Sequence, residues 1–234
     1  MTDFAVDRRD LLLNGVASVA ILALDGLAPA PAMAQAGPDT LENYKPVYFD
    51  AAEWAFVMAA TDRLIPADGE GPGALATLVP RFIDRQLAGD FGKASRWYMQ
   101  GPHDPDASPL FGFQLAQTPA EIYRIAIPEV DAHCRTAYGQ AFAALSDADK
   151  DVVLHDLEAG KVDLKTVPAS DFFAMLLANT KEGYFADPRY GGNHGMQAWT
   201  YIGFPGARAS FREWVGQQNT PYPLGPVSIG GERA

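Results

Sequence analysis

Thr118-Pro119-Ala120-Glu121 opens a run that continues to Gly139, and the reading of this stretch decides the fold. Threonine suits a helix cap, and proline suits the first helical position, where its missing N–H would have no partner anyway. Glu121 adds an acid in the first turn. The run predicts one long helix, kinked near Pro128. Asp50-Ala51-Ala52-Glu53 has the form of a capping box, and Trp54, Val57, Met58, Thr61 and Leu64 follow it at helical spacing until Pro66. Leu75 to Leu87 repeats that spacing up to Gly89, with Pro80 placing the regular start nearer Thr77. A shorter amphipathic piece, Phe91 to Gln100, precedes a stretch rich in glycine and proline from Gly101 to Gly112. Ser146-Asp147-Ala148-Asp149 opens a helix ending at Gly160, and another runs from Asp171 to about Gly183 with Phe172, Phe173, Leu176 and Leu177 as its buried stripe. No stretch alternates with period two and no internal repeat occurs. The chain reads as all-α, a small irregular helical bundle over residues 48–215, with a linker at 35–47 and a Gly/Pro-rich tail at 216–234.

Ahead of the bundle stands Asp7-Arg8-Arg9-Asp10-Leu11-Leu12-Leu13, then a mildly apolar run to Leu24, then Ala32-Met33-Ala34. Arg8 and Arg9 before such a run resemble a twin-arginine export signal over residues 1–34, with a small-x-small cleavage site at its end. An ordinary secretory signal, or a basic turn before a buried helix, are the alternatives. Asn14, Gly15 and Ser18 interrupt the run, which falls short of the roughly 20 apolar residues a membrane span requires. The twin-arginine route carries proteins already folded, so the expectation is a periplasmic protein with no membrane span after processing.

The net charge is −11, from 18 basic and 29 acidic residues. Such a surface repels nucleic acid and anionic lipid. Hydrophobic residues make up 48% and charged residues 20%, enough apolar content for a packed domain. Cys134 stands alone, so no internal disulfide, iron–sulfur cluster or structural zinc can be built on cysteine within this chain. The four histidines, His103, His133, His155 and His194, form neither His-x-x-x-His nor His-x-His. His155 and Glu158 share a helix face without a third ligand, which reads as a solvated surface rather than a metal site. Asp131 and His133, two apart on a helix, point in different directions. No Gly-x-Ser-x-Gly elbow is present, and Gly69-Glu70-Gly71-Pro72-Gly73 lacks the lysine and strand-to-helix setting of a phosphate cradle. The expectation is a chain with no catalytic, cofactor-binding or metal-binding residues of its own.

The texture changes between Gly183 and Gly206. Gly183-Tyr184-Phe185-Ala186-Asp187-Pro188-Arg189-Tyr190-Gly191-Gly192-Asn193-His194 leads to Trp199-Thr200-Tyr201-Ile202-Gly203-Phe204-Pro205-Gly206. Glycine, proline and aromatics crowd together with no helical period, and a loop this long in a compact domain is usually functional. Aromatics provide broad contact area, and glycines permit tight turns. The segment is then either a surface for a partner or a set of aromatics that closes over the bundle core. Phe211 and Trp214 suggest a short helical turn beyond it.

Phe49-Asp50-Ala51-Ala52-Glu53, leading to Thr61-Asp62-Arg63-Leu64-Ile65-Pro66, resembles the opening of the gluconate 2-dehydrogenase subunit 3 family. The Gly183 to Asn193 segment, with Trp199 and Ile202-Gly203-Phe204-Pro205-Gly206, is similar to a later part of the same family. Val79-Pro80-Arg81-Phe82-Ile83-Asp84 and Leu157-Glu158-Ala159-Gly160 fit between them, so the resemblance covers about residues 48 to 208. It implies a small non-catalytic subunit that accompanies a flavin-dependent sugar or sugar-acid dehydrogenase of the glucose-methanol-choline type. FAD would then reside in the catalytic large subunit and haem c in a membrane-anchored multihaem cytochrome c, with an iron–sulfur cluster a further candidate in the partners. The small subunit would carry the export signal, help the large one mature and stay bound. On this resemblance Tyr184, Phe185, Asp187, Tyr190, Gly191, Gly192, Asn193, Trp199 and Phe204 become the expected partner interface. Cys134 is either a buried thiol or one end of a bridge to the large subunit. The competing reading is an independent periplasmic enzyme or sugar-binding protein, with Tyr184 to Trp199 as the aromatic wall of its pocket.

Overall fold

Six α-helices carry the described part of the chain: α1 (Ala51–Leu64), α2 (Val79–Ala88), α3 (Pro119–Tyr138), α4 (Asp147–Glu158), α5 (Ala169–Phe185) and α6 (Gln197–Ile202). The structure is a computed structural model and describes residues 40–104 and 107–234. The export-signal assignment at 1–34, with Arg8 and Arg9, and the first part of the 35–47 linker lie outside the described residues. Among the described residues there is no β-strand, only two isolated bridges, Gly206 to Val227 and Val227 to Arg233. No helix among them is long and apolar enough to cross a membrane.

The caps explain where the helices begin. Asp50 accepts from the amides of Ala52 and Glu53 at 2.9 Å each, and the Glu53 carboxylate returns to the Asp50 amide at 3.0 Å. The Thr118 hydroxyl accepts from the Glu121 amide at 3.3 Å, while Glu121 accepts from the Thr118 amide at 2.8 Å. Each box satisfies N–H groups that a helix start leaves unbonded. Ser146 does the same for α4 through the Asp149 amide, and Gly139 ends α3 at a φ of +78°, the left-handed conformation that glycine tolerates best.

Along α3, residues 119, 122, 123, 126, 127, 130, 131 and 134 are buried, a stripe at the helical repeat. It faces α1, α2 and α5, and α5 also packs on α4. Phe56 meets Phe142 at 4.7 Å and Phe172 at 6.1 Å between ring centroids, and Tyr123 stands edge-on to Phe172 at 5.6 Å. These rings are fully buried, so truncating any one would cost about 3–5 kcal/mol. The buried carboxylate of Asp131 accepts from the Phe142 amide at 2.9 Å and meets Arg135 at 3.2 Å, which fixes the chain as it leaves α3.

Asp84, wholly buried on α2, gathers the segment before α1. Its carboxylate accepts from the Tyr44 hydroxyl at 2.6 Å and from the amides of Val47, Tyr48 and Phe49 at 2.8, 2.9 and 3.0 Å. Burial, and next the Asp84 carboxylate that accepts its hydrogen bond, push the Tyr44 hydroxyl up to about 12. Arg124 of α3 completes the strap, pairing with Glu53, donating to the Tyr48 carbonyl at 2.7 Å and stacking over the Tyr48 ring at 4.4 Å.

Several expectations are corrected. Phe91 to Gln100 forms turns rather than a helix, because Ala94 sits at φ +50° and Gly92 packs so closely that a Cβ there would lie 1.9 Å from the Leu87 carbonyl oxygen. α2 starts at Val79, not Thr77, since Leu78 is left-handed at φ +58°. α5 begins two residues early and continues to Phe185. The segment beyond it is not irregular throughout: short 3-10 turns at Pro188–Tyr190 and His194–Met196 lead into α6. A third such turn at Arg212–Trp214 matches the turn expected there.

Candidate partner-binding site

The segment from Gly183 to Gly206 is built by backbone pressed against backbone. Gly183 lies on α5 against Phe82, and Gly192 returns over it so closely that a Cβ would fall 2.1 Å from the Gly183 carbonyl oxygen. Between them Asp187 splits its carboxylate, one oxygen accepting from the Arg189 amide at 3.1 Å and the other from the Ile229 amide at 2.6 Å. The Gly191 carbonyl accepts from Arg81 Nε at 2.8 Å. Asn193, fully buried at φ +43°, donates to the Ala186 carbonyl and accepts from the Ala198 amide, both at 3.0 Å, so it closes one turn and helps start α6. Trp199 Nε1 donates to the Phe185 carbonyl at 2.8 Å, and the Tyr184 hydroxyl donates to the Pro72 carbonyl at 2.8 Å. Burial raises the Tyr184 hydroxyl above its ordinary pKa. The His194 amide reaches the Thr77 carbonyl at 3.1 Å, tying the segment to the loop before α2.

This geometry divides the expected interface in two. Tyr184, Asp187, Gly191, Gly192, Asn193 and Trp199 are buried within the chain. The side-chain polar groups of Tyr184, Asp187, Asn193 and Trp199 bond internally, and the glycines face Arg81, Arg85 and Gly183 rather than open surface. Phe185, Tyr190 and Phe204 remain exposed, at 44%, 47% and 44%. Phe204 stands edge-on to Trp199 at 5.1 Å and Phe185 edge-on to Tyr184 at 4.9 Å, so each of these outward rings is backed by a buried one. Arg189 lies over the Tyr190 ring at 5.4 Å. The aromatic wall expected for a sugar pocket does not form, since Tyr184 and Trp199 face inward. The open cleft nearby is lined instead by Ala67, Glu70, Gly71, Pro72, Gln197 and Tyr201, among others.

Cys134 is fully buried on the core side of α3. Burial, helped by the charge of Asp131, pushes its thiol up to about 11. The geometry is that of a small core residue, with no sulfur presented at the surface of this chain. His155 and Glu158 meet at 3.5 Å as an exposed pair. Among the described residues no three His, Cys, Asp or Glu side chains gather as a metal site.

Sequence reasoning missed Tyr201 and Ile202, exposed at 51% and 54% on α6, because that helix was not expected. It also passed over Arg81 and Asp84. The signal was present: two charges three apart inside the apolar stripe of α2 must find partners if that stripe is buried.

No curated protein and no solved structure matches the chain. The family model described as gluconate 2-dehydrogenase subunit 3 matches residues 51–206, from the first residue of α1 to the glycine that bridges to Val227. That span is well over half of the sequence and takes in both α1 and the whole Gly183 to Gly206 segment. The chain therefore belongs to the gluconate 2-dehydrogenase subunit 3 family.

Proposed function

We propose that this protein is the small, non-catalytic subunit of a membrane-bound, flavin-dependent sugar or sugar-acid dehydrogenase complex. In this reading it travels with the FAD-bearing large subunit through the twin-arginine route, helps that subunit mature and stays bound in the periplasm. A multihaem cytochrome c, carrying the haem, is the further member that accepts electrons. Family membership across residues 51–206 carries the reading. The site gives it a physical basis: outward aromatics at 185, 190 and 204, held on a backbone whose own polar groups are already bonded. Aromatic rings exposed in this way suit protein contacts, where binding energy concentrates in a few such side chains.

The test is co-expression with the proposed flavin-bearing large subunit, followed by purification through a tag on the small subunit. The expected result is recovery of a flavin-containing dehydrogenase and its activity in the periplasmic fraction. Replacing Arg8 and Arg9 with Lys should leave that activity in the cytoplasm. Full periplasmic activity with both arginines replaced would defeat the co-export role, and recovery of the small subunit alone would defeat the subunit role.

A further inference from the structure

A second surface runs along α5, ending at Glu182, one turn before the outward Phe185. Asp171, Ala174, Met175, Ala178, Asn179 and Glu182 recur at the helical repeat and line one side of a cleft of about 440 Å³. The opposite wall is aromatic: Phe91 stands edge-on to Trp97 at 5.6 Å, and Trp97 meets Phe113 at 4.8 Å. The floor is kept low by Ala174 and Ala178. Behind it, Asn179 Nδ2 donates to the buried Tyr123 hydroxyl at 3.0 Å, which fixes that part of the floor.

The two ends of the cleft are acidic. Asp171 and Glu182 are eleven residues apart, about 16 Å along the helix. Among the described residues neither carboxylate has a side-chain hydrogen bond or an ion-pair partner. Partial burial raises both above the ordinary carboxylate pKa. Both residues stay exposed to solvent in the free chain, whereas other charges are paired, as Arg63 is by Asp147 and Asp151, or Arg124 by Glu53. The loop that forms the aromatic wall also exposes Tyr98 at 79%, Leu110 at 95% and Phe111 at 75%. Large apolar side chains this exposed, beside an apolar cleft with unanswered charges at each end, describe half of an interface.

We infer that the cleft between α5 and the rings of Phe91, Trp97 and Phe113 receives a segment of the partner dehydrogenase subunit, apolar along its length and carrying a lysine or arginine at each end. The charge complementarity selects this occupant. An acidic or neutral segment would leave Asp171 and Glu182 desolvated and unpaired, whereas two cations about 16 Å apart, the separation of the acids along α5, would answer both. The inference rests on the subunit reading and adds to it the chemistry of a further contact, running along α5 from Asp171 to Glu182.

The experiment has two arms, both with the full chain. In the first, calorimetry measures binding of a synthetic leucine- and alanine-rich helical peptide with lysines eleven positions apart, against the same peptide with glutamates there. The lysine peptide should bind at least tenfold more tightly, and the double change Asp171→Asn with Glu182→Gln should erase the preference. In the second, Ala178→Trp, which fills the cleft from an exposed position, is tested in the co-expressed complex. It should reduce recovery of the dehydrogenase subunit at least tenfold while the melting temperature of the free chain holds. Equal binding of the two peptides, or normal recovery with Ala178→Trp, overturns the inference. If Ala178→Trp recovers the partner normally while Tyr190→Ala does not, the cleft assignment falls and the subunit reading stands. If no partner is recovered by the unaltered chain, the subunit reading itself has failed.

Discussion

Residues 183–206 and residues 91–115 look alike as sequence, both crowded with glycine, proline and aromatic rings, yet they differ in where their hydrogen bonds go. In the first, the buried polar side chains reach back into the fold: Tyr184 to Pro72, Trp199 to Phe185, Asn193 to Ala186 and Ala198, Asp187 to Ile229. In the second, Gln114 donates only three residues back, to the Phe111 carbonyl at 3.1 Å, and Leu110 and Phe111 stand in solvent. An aromatic and glycine-rich texture therefore does not separate architecture from interface. What separates them is whether the polar atoms among the rings are already bonded.

The largest effect tests the architectural side. Gly192→Ala places a Cβ 2.1 Å from a backbone oxygen, which no side-chain movement can relieve, and should destabilise the chain by more than about 4 kcal/mol. Chemical denaturation of the pure subunit measures it, and a loss under about 1 kcal/mol would show that the close approach is not maintained in solution. Trp199→Ala comes next. It removes a buried indole and its bond to Phe185, so stability should drop by about 3–4 kcal/mol, with assembly weakened only as folding is lost. A Trp199 at the partner surface would behave in the opposite way, losing assembly while folding held.

Tyr190→Ala sharpens the comparison from the other side. Its ring is nearly half exposed, so the melting temperature should move by less than about 2 °C, while partner binding weakens by about 2 kcal/mol if the ring is an anchor. Differential scanning fluorimetry beside a binding titration separates the two quantities, and unchanged binding would remove Tyr190 from the interface. The smallest effect belongs to the unanswered acids. Burial raises the Glu182 pKa above 4.5, so the folded chain holds that proton more tightly than the unfolded chain. The cost of its charge is thus fully present above the folded pKa and absent below the ordinary carboxylate range. Glu182→Gln should raise the melting temperature of the free chain by about 1 °C at pH 7, and the gain should vanish on acidification through that range. A gain that persists at low pH would assign the effect to packing instead.

The helical frame was legible because its signals are local. Asp50 with Glu53, Thr118 with Glu121, and Ser146 with Asp149 mark starts within one turn, and the apolar stripe of α3 comes from spacing alone. The site was less legible because its determinants are distant in sequence. Nothing near Asn193 shows that its side chain accepts from the Ala198 amide in the first turn of α6, and nothing near Gly191 shows that Arg81, 110 residues earlier, binds its carbonyl. Leu78 and Ala94 adopt left-handed conformations that disfavour their residue types, so tertiary packing overrode local preference there. The split of aromatics into buried and outward sets was invisible for the same reason: ring type does not encode which face of a turn a residue occupies.

The Asp84 carboxylate also draws a boundary for processing. Three successive amides, at Val47, Tyr48 and Phe49, end on a single buried side chain, so a stretch without helix or strand is held as firmly as one with them. Those amides should exchange with deuterated solvent as slowly as amides inside α2. A peptidase digesting from the N-terminal side should accordingly stall before Tyr44, whose hydroxyl shares the same carboxylate. The fold thereby fixes how far any leader can be trimmed, independently of which enzyme does the cutting.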